Sequence, residues 1–278
     1  MSNPSGRGRR GEASRPPRRK RFGQHFLHDP AVILKIVQAI HPQPGERLVE
    51  IGPGRGALTR RLLEGASWTL DALEIDRDLA GLLRTELAGC KGFVLHQTDA
   101  LELDFARLAS ERGGRLRIVG NLPYNISTPL LFHLLANREA ITDMHVMLQR
   151  EVAARIAAQP GDEDYGRLTV MLAPWLASER LFDVGPGAFQ PPPRVWSAVL
   201  RLTVRAQPAF AVSPRYAVIV TAAFGQRRKT LRNSLGELLS ARQIEDCGLD
   251  PGARPETLAP QQLNALAQSL DMSTGSPE

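Results

Sequence analysis

Four consecutive residues near the middle of the chain are suited to one kind of chemistry. Asn121, Leu122, Pro123 and Tyr124 follow an apolar run at residues 116–120. The exocyclic nitrogen of adenine is a poor nucleophile, because its lone pair is delocalised into the ring. The side-chain oxygen of Asn121 and the carbonyl of Leu122 are two acceptors for the hydrogens of such a nitrogen, and they would push it towards a tetrahedral, reactive geometry. Pro123 donates no hydrogen bond and stiffens the turn, while Tyr124 offers a flat face on which a base can stack. The pattern predicts alkylation of an exocyclic amino group. The alternative is a polar turn held by an aromatic residue.

The elements on either side of this corner explain how it would be positioned. Residues 116–120 are typical of a short buried strand, and the carboxyl end of a strand is where an open α/β sheet places its ligands. Ser127 is expected to cap the helix that follows, whose apolar face is made of leucines. These are Leu130, Leu131, Leu134 and Leu135. An earlier helix is predicted to start at Pro30, with Asp29 as its cap.

A glycine-rich turn follows an earlier strand. Residues 48–51 are strand-like, and they lead into Gly52, Gly54 and Gly56 before another leucine-bearing helix. Such a turn brings backbone close to a ligand at the helix N-terminus. With Ala57, the pattern also satisfies the looser dinucleotide fingerprint Gly-x-Gly-x-x-Ala.

Acidic residues follow the next two predicted strands. Glu74 and Asp76 lie at the end of a strand at residues 68–75, and Asp99 follows a strand at residues 93–95. An acid about 20 residues after the glycines is the expected partner of two ribose hydroxyls, and Asp99 is placed to read an adenine amino group. Right-handed crossovers put all these strand ends on one edge of the sheet. A nicotinamide enzyme has no obvious use for the corner at residues 121–124, whereas a methyl-transfer enzyme does.

The next part of the chain is predicted to close the sheet. A strand at residues 144–148 and a helix at 151–158 precede a helix that would bury four apolar residues, Leu168, Met171, Leu172 and Leu176. Residues 181–184 and 195–204 are expected to form an antiparallel pair. The proline-rich loop between them carries Phe189, which we expect to be exposed, either as a loop anchor or as a second face for a flipped base.

The pattern changes near residue 207, beyond which only helices are predicted. This gives three parts: an Arg-rich tail at residues 1–19 predicted to be disordered, an α/β domain at 20–206 and a small helical domain at 207–278. The helical domain carries a basic run within an acid-free segment at residues 221–234, made of Arg227, Arg228, Lys229 and Arg232. Either it is a solvated face or, as we favour, it contacts phosphates.

Composition narrows the function classes. Eight basic residues and one acid lie in residues 1–21, so the remaining chain has 27 basic and 28 acidic residues and is near neutral. The tail is a tether for nucleic acid, a solvated tail without a role, or an organelle transit peptide, although its Pro and Gly content argues against the last. Cys90 and Cys247 are isolated, with no metal-ligand spacing, which fits a reducing compartment. No apolar run has the length of a membrane span, and no secretory signal is evident.

Taken together, the motifs resemble the small-subunit ribosomal RNA adenine dimethyltransferases over about residues 18–270. The resemblance rests on segments 21–27, 50–54, 74–76, 99–100 and 121–127, on Phe189-x-Pro191-x-Pro193 with Val195 and Ser197, and on segment 224–233. It implies a Rossmann-like class I methyltransferase sheet, mostly parallel with an antiparallel closing pair, and a small all-helical C-terminal domain. It also implies that two methyl groups go to each of two adjacent adenosines in a hairpin loop near the 3′ end of 16S ribosomal RNA.

The resemblance also implies roles for particular residues. The methyl donor S-adenosylmethionine would be bound by Gln24, His25, Leu27, Gly52, Gly54, Glu74, Asp99 and Asn121. Asn121 and the Leu122 carbonyl would hold the target nitrogen, and Tyr124 and Phe189 would sandwich the target base. His25 departs from the Asn that is commonest in the family, and we expect it to be tolerated because both can offer a hydrogen bond. The Arg-rich extension is also atypical.

Other readings remain open. One is an adenine methyltransferase for large-subunit RNA, although the loop around Phe189 and the helical domain favour the small-subunit target. Another is a DNA adenine methyltransferase, in which Asp-Pro-Pro-Tyr would be more usual at the corner. A third is a ribosome-assembly factor whose binding matters more than its methylation. We expect a cytoplasmic monomer that acts on a precursor of the small ribosomal subunit and needs neither metal nor membrane.

Overall fold

The computed structural model describes residues 24–226 and 228–274, so the predictions for the tail at residues 1–19 and for Arg227 lie outside the described residues. The strands are β1 (Phe26–Leu27), β2 (Arg47–Ile51), β3 (Thr69–Leu73), β4 (Phe93–His96), β5 (Leu116–Asn121), β6 (Ile141–Gln149), β7 (Leu176–Val184), β8 (Phe189–Gln190) and β9 (Ser197–Val204). The helices are α1 (Pro30–Ile40), α2 (Ala57–Leu63), α3 (Arg77–Glu86), α4 (Phe105–Glu111), α5 (Ser127–Ala136), α6 (Arg150–Ala157), α7 (Arg167–Leu172), α8 (Tyr216–Ala223), α9 (Leu231–Ser234), α10 (Ala241–Asp246) and α11 (Pro260–Thr274).

Seven strands form the central sheet in the order β4-β3-β2-β5-β6-β9-β7. The five strands from β2 to β6 are parallel, and β9 pairs antiparallel with both β6 and β7. Strands β1 and β8 form a separate antiparallel pair. This arrangement confirms the predicted Rossmann-like sheet with its antiparallel closing pair. It also places the carboxyl ends of the parallel strands along one edge.

Alternating side chains of the strands pack on two layers of helices. One face of the sheet, with Val49 of β2 and Ile118 of β5, packs with α4, α5, α6 and α7. The other face, with Leu48 of β2 and Val119 of β5, packs with α1 and α2. Because both faces are covered, most residues of the parallel strands are buried.

The two predicted helix caps have different outcomes. Asp29 caps α1 as predicted, with its carboxylate accepting from the backbone N–H groups of Ala31 and Val32 at 2.8 and 3.1 Å. The prediction for Ser127 is wrong, because Ile126 occupies the cap position of α5 and Ser127 is the first helical residue. The Ser127 hydroxyl instead donates to the carbonyl of Tyr124 at 3.2 Å. It thus fastens the helix to the corner that precedes it.

The structure also corrects the helix predicted to include Leu176. Helix α7 ends at Leu172, and Leu176 is the first residue of β7. Pro174 lies between them and cannot donate a helical hydrogen bond. Strand β7 therefore starts five residues before the strand predicted at 181–184.

The region beyond residue 207 is helical, as predicted, although α9 is shorter than the helix expected at residues 231–239. Its apolar core includes Tyr165 and Val170 from the neighbourhood of α7. The Tyr165 hydroxyl donates to the Leu258 carbonyl at 2.7 Å, and Tyr216 donates to the Val170 carbonyl at 2.9 Å. These contacts join the C-terminal helices to the α/β part, and the domain boundary at 206/207 stays a prediction. Among the described helices, none is both long and apolar enough to cross a lipid bilayer.

A buried guanidinium on β5 fixes α1 to the sheet. Arg117 is only 9% exposed and donates to both carboxylate oxygens of Asp143 on β6, each at 2.9 Å. It also donates to Glu46 at 2.6 Å and to the carbonyl of Ile40, the last residue of α1, at 2.8 Å. Because α1 follows the segment beside the strand ends, this network also positions that segment.

We expect Arg117→Ala to lower the free energy of unfolding by about 3–5 kcal/mol, because it removes a buried guanidinium and leaves the half-buried Asp143 carboxylate without that partner. Urea unfolding of the wild type and of the variant measures this difference, with the slope of unfolding free energy against urea concentration expected to be the same for both. Arg107→Ala is the matched control, since Arg107 forms an exposed pair with Glu111 on α4 and should leave the midpoint unchanged. Equal midpoints for Arg117→Ala and the wild type would contradict this account.

Candidate active site

The ends of four strands enclose a cavity of about 320 Å³ at the carboxyl edge of the sheet. Gly52 follows β2, Glu74 follows β3, Asp99 follows β4 and Asn121 ends β5, and all four line this cavity. Gln24, in the segment before β1, lines it as well. The sequence-based prediction that these positions share one edge is therefore confirmed. We call this space the donor cavity.

The glycine-rich turn keeps backbone close to the donor cavity. Gly54 has a φ of +57°, and a Cβ there would lie 3.0 Å from the ring of Phe26. The Gly54 N–H donates to a carboxylate oxygen of Glu74 at 3.0 Å. A side chain at Gly54 would thus strain the backbone and push Phe26 out of position.

Glu74 links two loops beneath the cavity. Besides the bond from Gly54, its other carboxylate oxygen accepts from the Asp76 N–H at 2.9 Å. Glu74 is 5% exposed, and this burial raises its pKa to about 7 despite the two hydrogen bonds. A carboxylate held in this way has remaining lone pairs for neighbouring hydroxyl groups.

A second buried carboxylate, Glu50 on β2, lies in a smaller cavity behind the first. That cavity of about 40 Å³ shares Gly52 and Asn121 with the donor cavity and has room for about two water molecules. Burial raises the pKa of Glu50 to about 7, and the negative charge of Glu74 adds to the shift. The sequence analysis used Glu50 only as part of a motif. Because folding raises both pKa values from 4.5 to about 7, the two carboxylates progressively destabilise the folded state as the pH rises from about 4.5 to about 7.

Two further polar residues border the donor cavity. The Asp99 carboxylate accepts from the Leu101 N–H at 2.9 Å, which fixes one oxygen after β4. Gln24 reaches the Asp76 carboxylate at 3.4 Å from its side-chain amide. Asp76 also caps α3 through the N–H groups of Asp78 and Leu79. Asp76 therefore holds Gln24 beside the end of β3.

The corner at residues 121–124 lies at the mouth of the donor cavity. The Asn121 side-chain amide donates to the His25 carbonyl at 3.2 Å, while its oxygen is buried and has no partner among the described residues. The Leu122 N–H donates to the Met147 carbonyl on β6 at 3.1 Å, which fixes the peptide after β5. The Asn121 oxygen is thus a positioned acceptor, and an unpaired buried acceptor is costly unless a ligand satisfies it.

Tyr124 is held in place at both ends of its side chain. Its hydroxyl lies 2.6 Å from the Ser197 hydroxyl on β9. Its ring stacks on the His25 ring, with centroids 5.9 Å apart and planes inclined by 30°. Burial raises the pKa of Tyr124 above its usual value, so the phenol stays neutral. The sequence analysis named Ser197 only as part of a motif, and no pattern in the sequence indicated its contact with Tyr124.

His25 makes a different contact from the one expected. Its Nδ1 lies 2.9 Å from the Pro191 carbonyl, which can only accept, so Nδ1 carries the proton. The ring therefore ties the segment before α1 to the loop after β8. The hydrogen bond expected of His25 exists, but it goes to protein backbone.

Two other predicted residues are not exposed to the donor cavity. Leu27 is 8% exposed and packs with α1, although it lines the smaller cavity. The expectation that Phe189 is exposed is wrong, since it is 2% exposed and β8 pairs with β1 at Leu27. The strand pairing draws the Phe189 ring into the apolar core with Val199.

The described part of the basic run lies on the surface of the C-terminal helices. Arg228, Lys229 and Arg232 are exposed. Arg228 borders an open cleft of about 980 Å³ between the C-terminal helices and the loop at residues 161–166, and not the donor cavity. Several acids line the same cleft, so it is not a uniformly positive groove.

The residues around the donor cavity fit the predicted methyl donor. A buried carboxylate with free lone pairs at Glu74 and an acceptor at Asp99 are suited to the ribose hydroxyls and the adenine amino group of S-adenosylmethionine. Within residues 24–226 and 228–274, no group of three or more His, Cys, Asp or Glu side chains is arranged to hold a metal ion.

Comparisons of the chain with a family model and with known proteins agree on one family. Residues 17–271 match the model of the family described as ribosomal RNA adenine dimethylase. The chain is 54% identical over 254 residues to ribosomal RNA small subunit methyltransferase A of Pseudomonas aeruginosa, covering 91% of this chain and 94% of that protein. It is 51% identical to the protein of the same name from Methylococcus capsulatus, covering 91% and 98% of the two chains.

A solved structure supports the fold and the family. The crystal structure of the 23S rRNA methyltransferase ErmE matches with a TM-score of 0.68 and 29% identity, covering 88% of this chain and 99% of that one. Because the family model spans nearly the whole chain and the curated relatives are more than half identical, this chain belongs to the ribosomal RNA adenine dimethylase family.

Proposed function

We propose that this protein transfers methyl groups from S-adenosylmethionine to N6 of two adjacent adenosines in a hairpin loop near the 3′ end of 16S ribosomal RNA. The product is N6,N6-dimethyladenosine, and the modification belongs to the biogenesis of the small subunit. The observation that carries the proposal is the unpartnered, buried oxygen of Asn121 at the mouth of the donor cavity, beside the ring of Tyr124. Its high identity to small-subunit enzymes favours this target over a large-subunit one.

The protein's own part in the reaction is positioning and charge placement. S-adenosylmethionine supplies an activated methyl group that already carries its leaving group, so no strong base is needed. In the first transfer the Asn121 oxygen and the Leu122 carbonyl accept the two N6 hydrogens and concentrate the lone pair on nitrogen, and in the second transfer one hydrogen remains for them. Each transfer forms a bond from N6 to the methyl carbon as the carbon–sulfur bond breaks, releases S-adenosylhomocysteine and leaves one N6 proton to be lost to solvent. Tyr124 holds the base by stacking. The target must leave its stack, which costs little in a loop, and the fixed geometry lowers the barrier by orientation.

The donor is held by the residues around its cavity. Glu74 accepts from the ribose hydroxyls, Asp99 accepts from the adenine amino group, and the Gly52–Gly54 turn lets the donor approach the backbone. The segment from Gln24 to Leu27 closes over the methionine end. The exposed Arg228, Lys229 and Arg232, with Arg227, contact RNA phosphates.

The remaining features of the proposal concern assembly state and place. The protein acts as a monomer on a precursor of the small subunit in the cytoplasm. Light scattering on the purified protein tests the monomeric state, and cell fractionation tests the cytoplasmic location.

Mapping of methylated adenosines tests the proposed target. Ribosomal RNA from cells that lack the protein should lose two adjacent dimethyladenosines near the 3′ end of the small-subunit RNA and keep its large-subunit methylation. Mass spectrometry of nuclease fragments from both RNAs measures this, and the wild-type gene should restore the loss. Loss confined to the large-subunit RNA would reject the proposal. Rescue of subunit assembly by an inactive variant would assign the biological role to binding.

We expect Asn121→Ala to lower the turnover number for methyl transfer by about 10²–10³-fold, because it removes an acceptor aimed at the reacting nitrogen. Turnover is measured with tritiated donor and unmethylated small-subunit particles, and donor binding is measured separately by calorimetry. Asn137→Ala, at the C-terminal end of α5, is the matched control and should turn over normally. Undiminished turnover by Asn121→Ala would remove this residue from the mechanism.

We expect the affinity for the donor to fall as the pH is lowered from 8 to 6. The ribose hydroxyls donate to ionised Glu74, and this interval crosses its pKa of about 7. Below the pKa, the dissociation constant should rise by up to about tenfold per pH unit. Glu74→Gln should bind the donor more weakly at pH 8 and lose this part of the pH dependence.

Calorimetric titration at each pH measures these affinities. Glu86→Gln is the control, because Glu86 is exposed and paired with Arg60 outside the cavity, and it should follow the wild-type curve. An unchanged pH dependence in Glu74→Gln would assign the titration to another group.

A further inference from the structure

The proline-rich loop before β9 carries an exposed aromatic residue, but it is not the one expected from the sequence. Phe189 is 2% exposed, whereas Trp196 is 49% exposed and its neighbour Val195 is 43% exposed. Among the Phe, Tyr and Trp residues in ranges 24–226 and 228–274, only Trp196 is exposed. A single apolar residue at the surface is ordinary, so the place and the neighbours of Trp196 decide its meaning.

Trp196 lies on the same edge of the sheet as the donor cavity. The next residue, Ser197, pairs with Gln149 at the end of β6 and with Val184 at the end of β7. The hydroxyl of Ser197 is the one that contacts Tyr124 at 2.6 Å. Trp196 therefore directly precedes Ser197, and Ser197 supports the Tyr124 ring on which the target base is proposed to stack.

The backbone and ring of Trp196 are fixed. Its carbonyl accepts from the N–H of Arg150, the first residue of α6, at 2.9 Å. A Cβ at Gly185 would lie 3.5–3.8 Å from three atoms of the indole, so the ring rests against that glycine. An aromatic face that is held in place loses little conformational entropy when a planar ligand stacks on it.

Two arginines neighbour Trp196: Arg194 precedes it by two residues, and the backbone N–H of Arg150 bonds to its carbonyl. Arg150 and Arg194 are both exposed, and neither forms an ion pair with any residue that the structure describes. Glu151, the acid next to Arg150, is paired with Arg155. A planar aromatic side chain flanked by arginines is the combination that binds single-stranded nucleic acid, by stacking on bases and contacting phosphates.

We propose that Trp196 stacks on the nucleotide next to the target adenosine, with Arg150 and Arg194 contacting its phosphates. This inference rests on the proposed function. When a target base leaves its stack, the neighbouring base loses a partner on one face. An indole beside the target position replaces that partner and holds the loop open. Trp196 therefore contributes to binding of RNA and not to the methyl-transfer step.

Kinetics with unmethylated small-subunit particles test this role. We expect Trp196→Ala to raise KM for the particles about tenfold, in line with the loss of one stacked base. The turnover number at saturating particles and the donor affinity should stay at wild-type values. Trp196→Phe should restore most of the affinity, because it keeps an aromatic face. Val94→Ala, an exposed residue on the edge strand β4 at the far end of the sheet, is the control and should leave KM unchanged.

Fluorescence identifies the chemical class of the partner. A hairpin RNA with two adjacent loop adenosines should quench the tryptophan emission of the wild type, and this quenching should be absent in Trp196→Phe. The other two tryptophans emit from different surroundings, since the Trp68 indole donates to the Leu62 carbonyl and the Trp175 ring lies under the Arg138 guanidinium. Arg194→Ala should reduce the slope of log affinity against log salt by about one unit.

The possible results separate the inference from the function on which it rests. Unchanged KM and quenching in the Trp196 variants, with normal methylation by the wild type, would overturn this inference alone. A raised KM without any quenching by the hairpin would indicate a protein contact and would also overturn it. Failure of the wild type to methylate the particles would instead reject the proposed function.

Discussion

The close approach of β5 to β2 is the constraint on which the site depends. A Cβ at Gly120 would lie 2.4 Å from the Ile51 carbonyl oxygen, so no other residue fits there without moving a strand. This contact brings the end of β5, with Asn121, against the turn that follows β2, with Gly52. The donor cavity and the corner at residues 121–124 therefore share a wall, and a displacement of either strand would disturb both. The proposed chemistry needs this arrangement, because a nitrogen and a sulfonium carbon must meet in line.

Burial around this wall has an energetic cost that relates to ligand binding. Glu50 lies on β2 and Glu74 follows the neighbouring strand β3, and burial raises the pKa of each to about 7. The Asn121 oxygen has no partner among the described residues. Groups of this kind destabilise a folded protein unless a ligand satisfies them. The rest of the fold offsets this cost through contacts such as the Arg117 network, and a bound donor would recover part of it.

The segment before α1, the corner and the loop before β9 form one connected unit. His25 bonds to Pro191 in that loop and stacks on Tyr124, and Tyr124 reaches Ser197 at the start of β9. The segment proposed to close over the donor is thus in contact with the ring proposed to hold the target base. This offers a physical link between binding of donor and binding of RNA. The aromatic ring of His25 contributes to that link through its contact with Tyr124.

The sequence by itself determined most strands of the central sheet, the glycine-rich turn, the strand-end acids and the corner at residues 121–124. These features are local or follow from the right-handed crossover rule, and they were sufficient to predict the sheet and the shared edge. Only the tertiary structure decided which aromatic of the proline-rich loop is exposed, because the pairing of β8 with β1 buries Phe189 and leaves Trp196 outside. It likewise decided that Ser197 supports Tyr124 and that Ser127 bonds back to the corner. Such contacts join residues through the packing of the whole chain, so neither spacing nor periodicity encodes them.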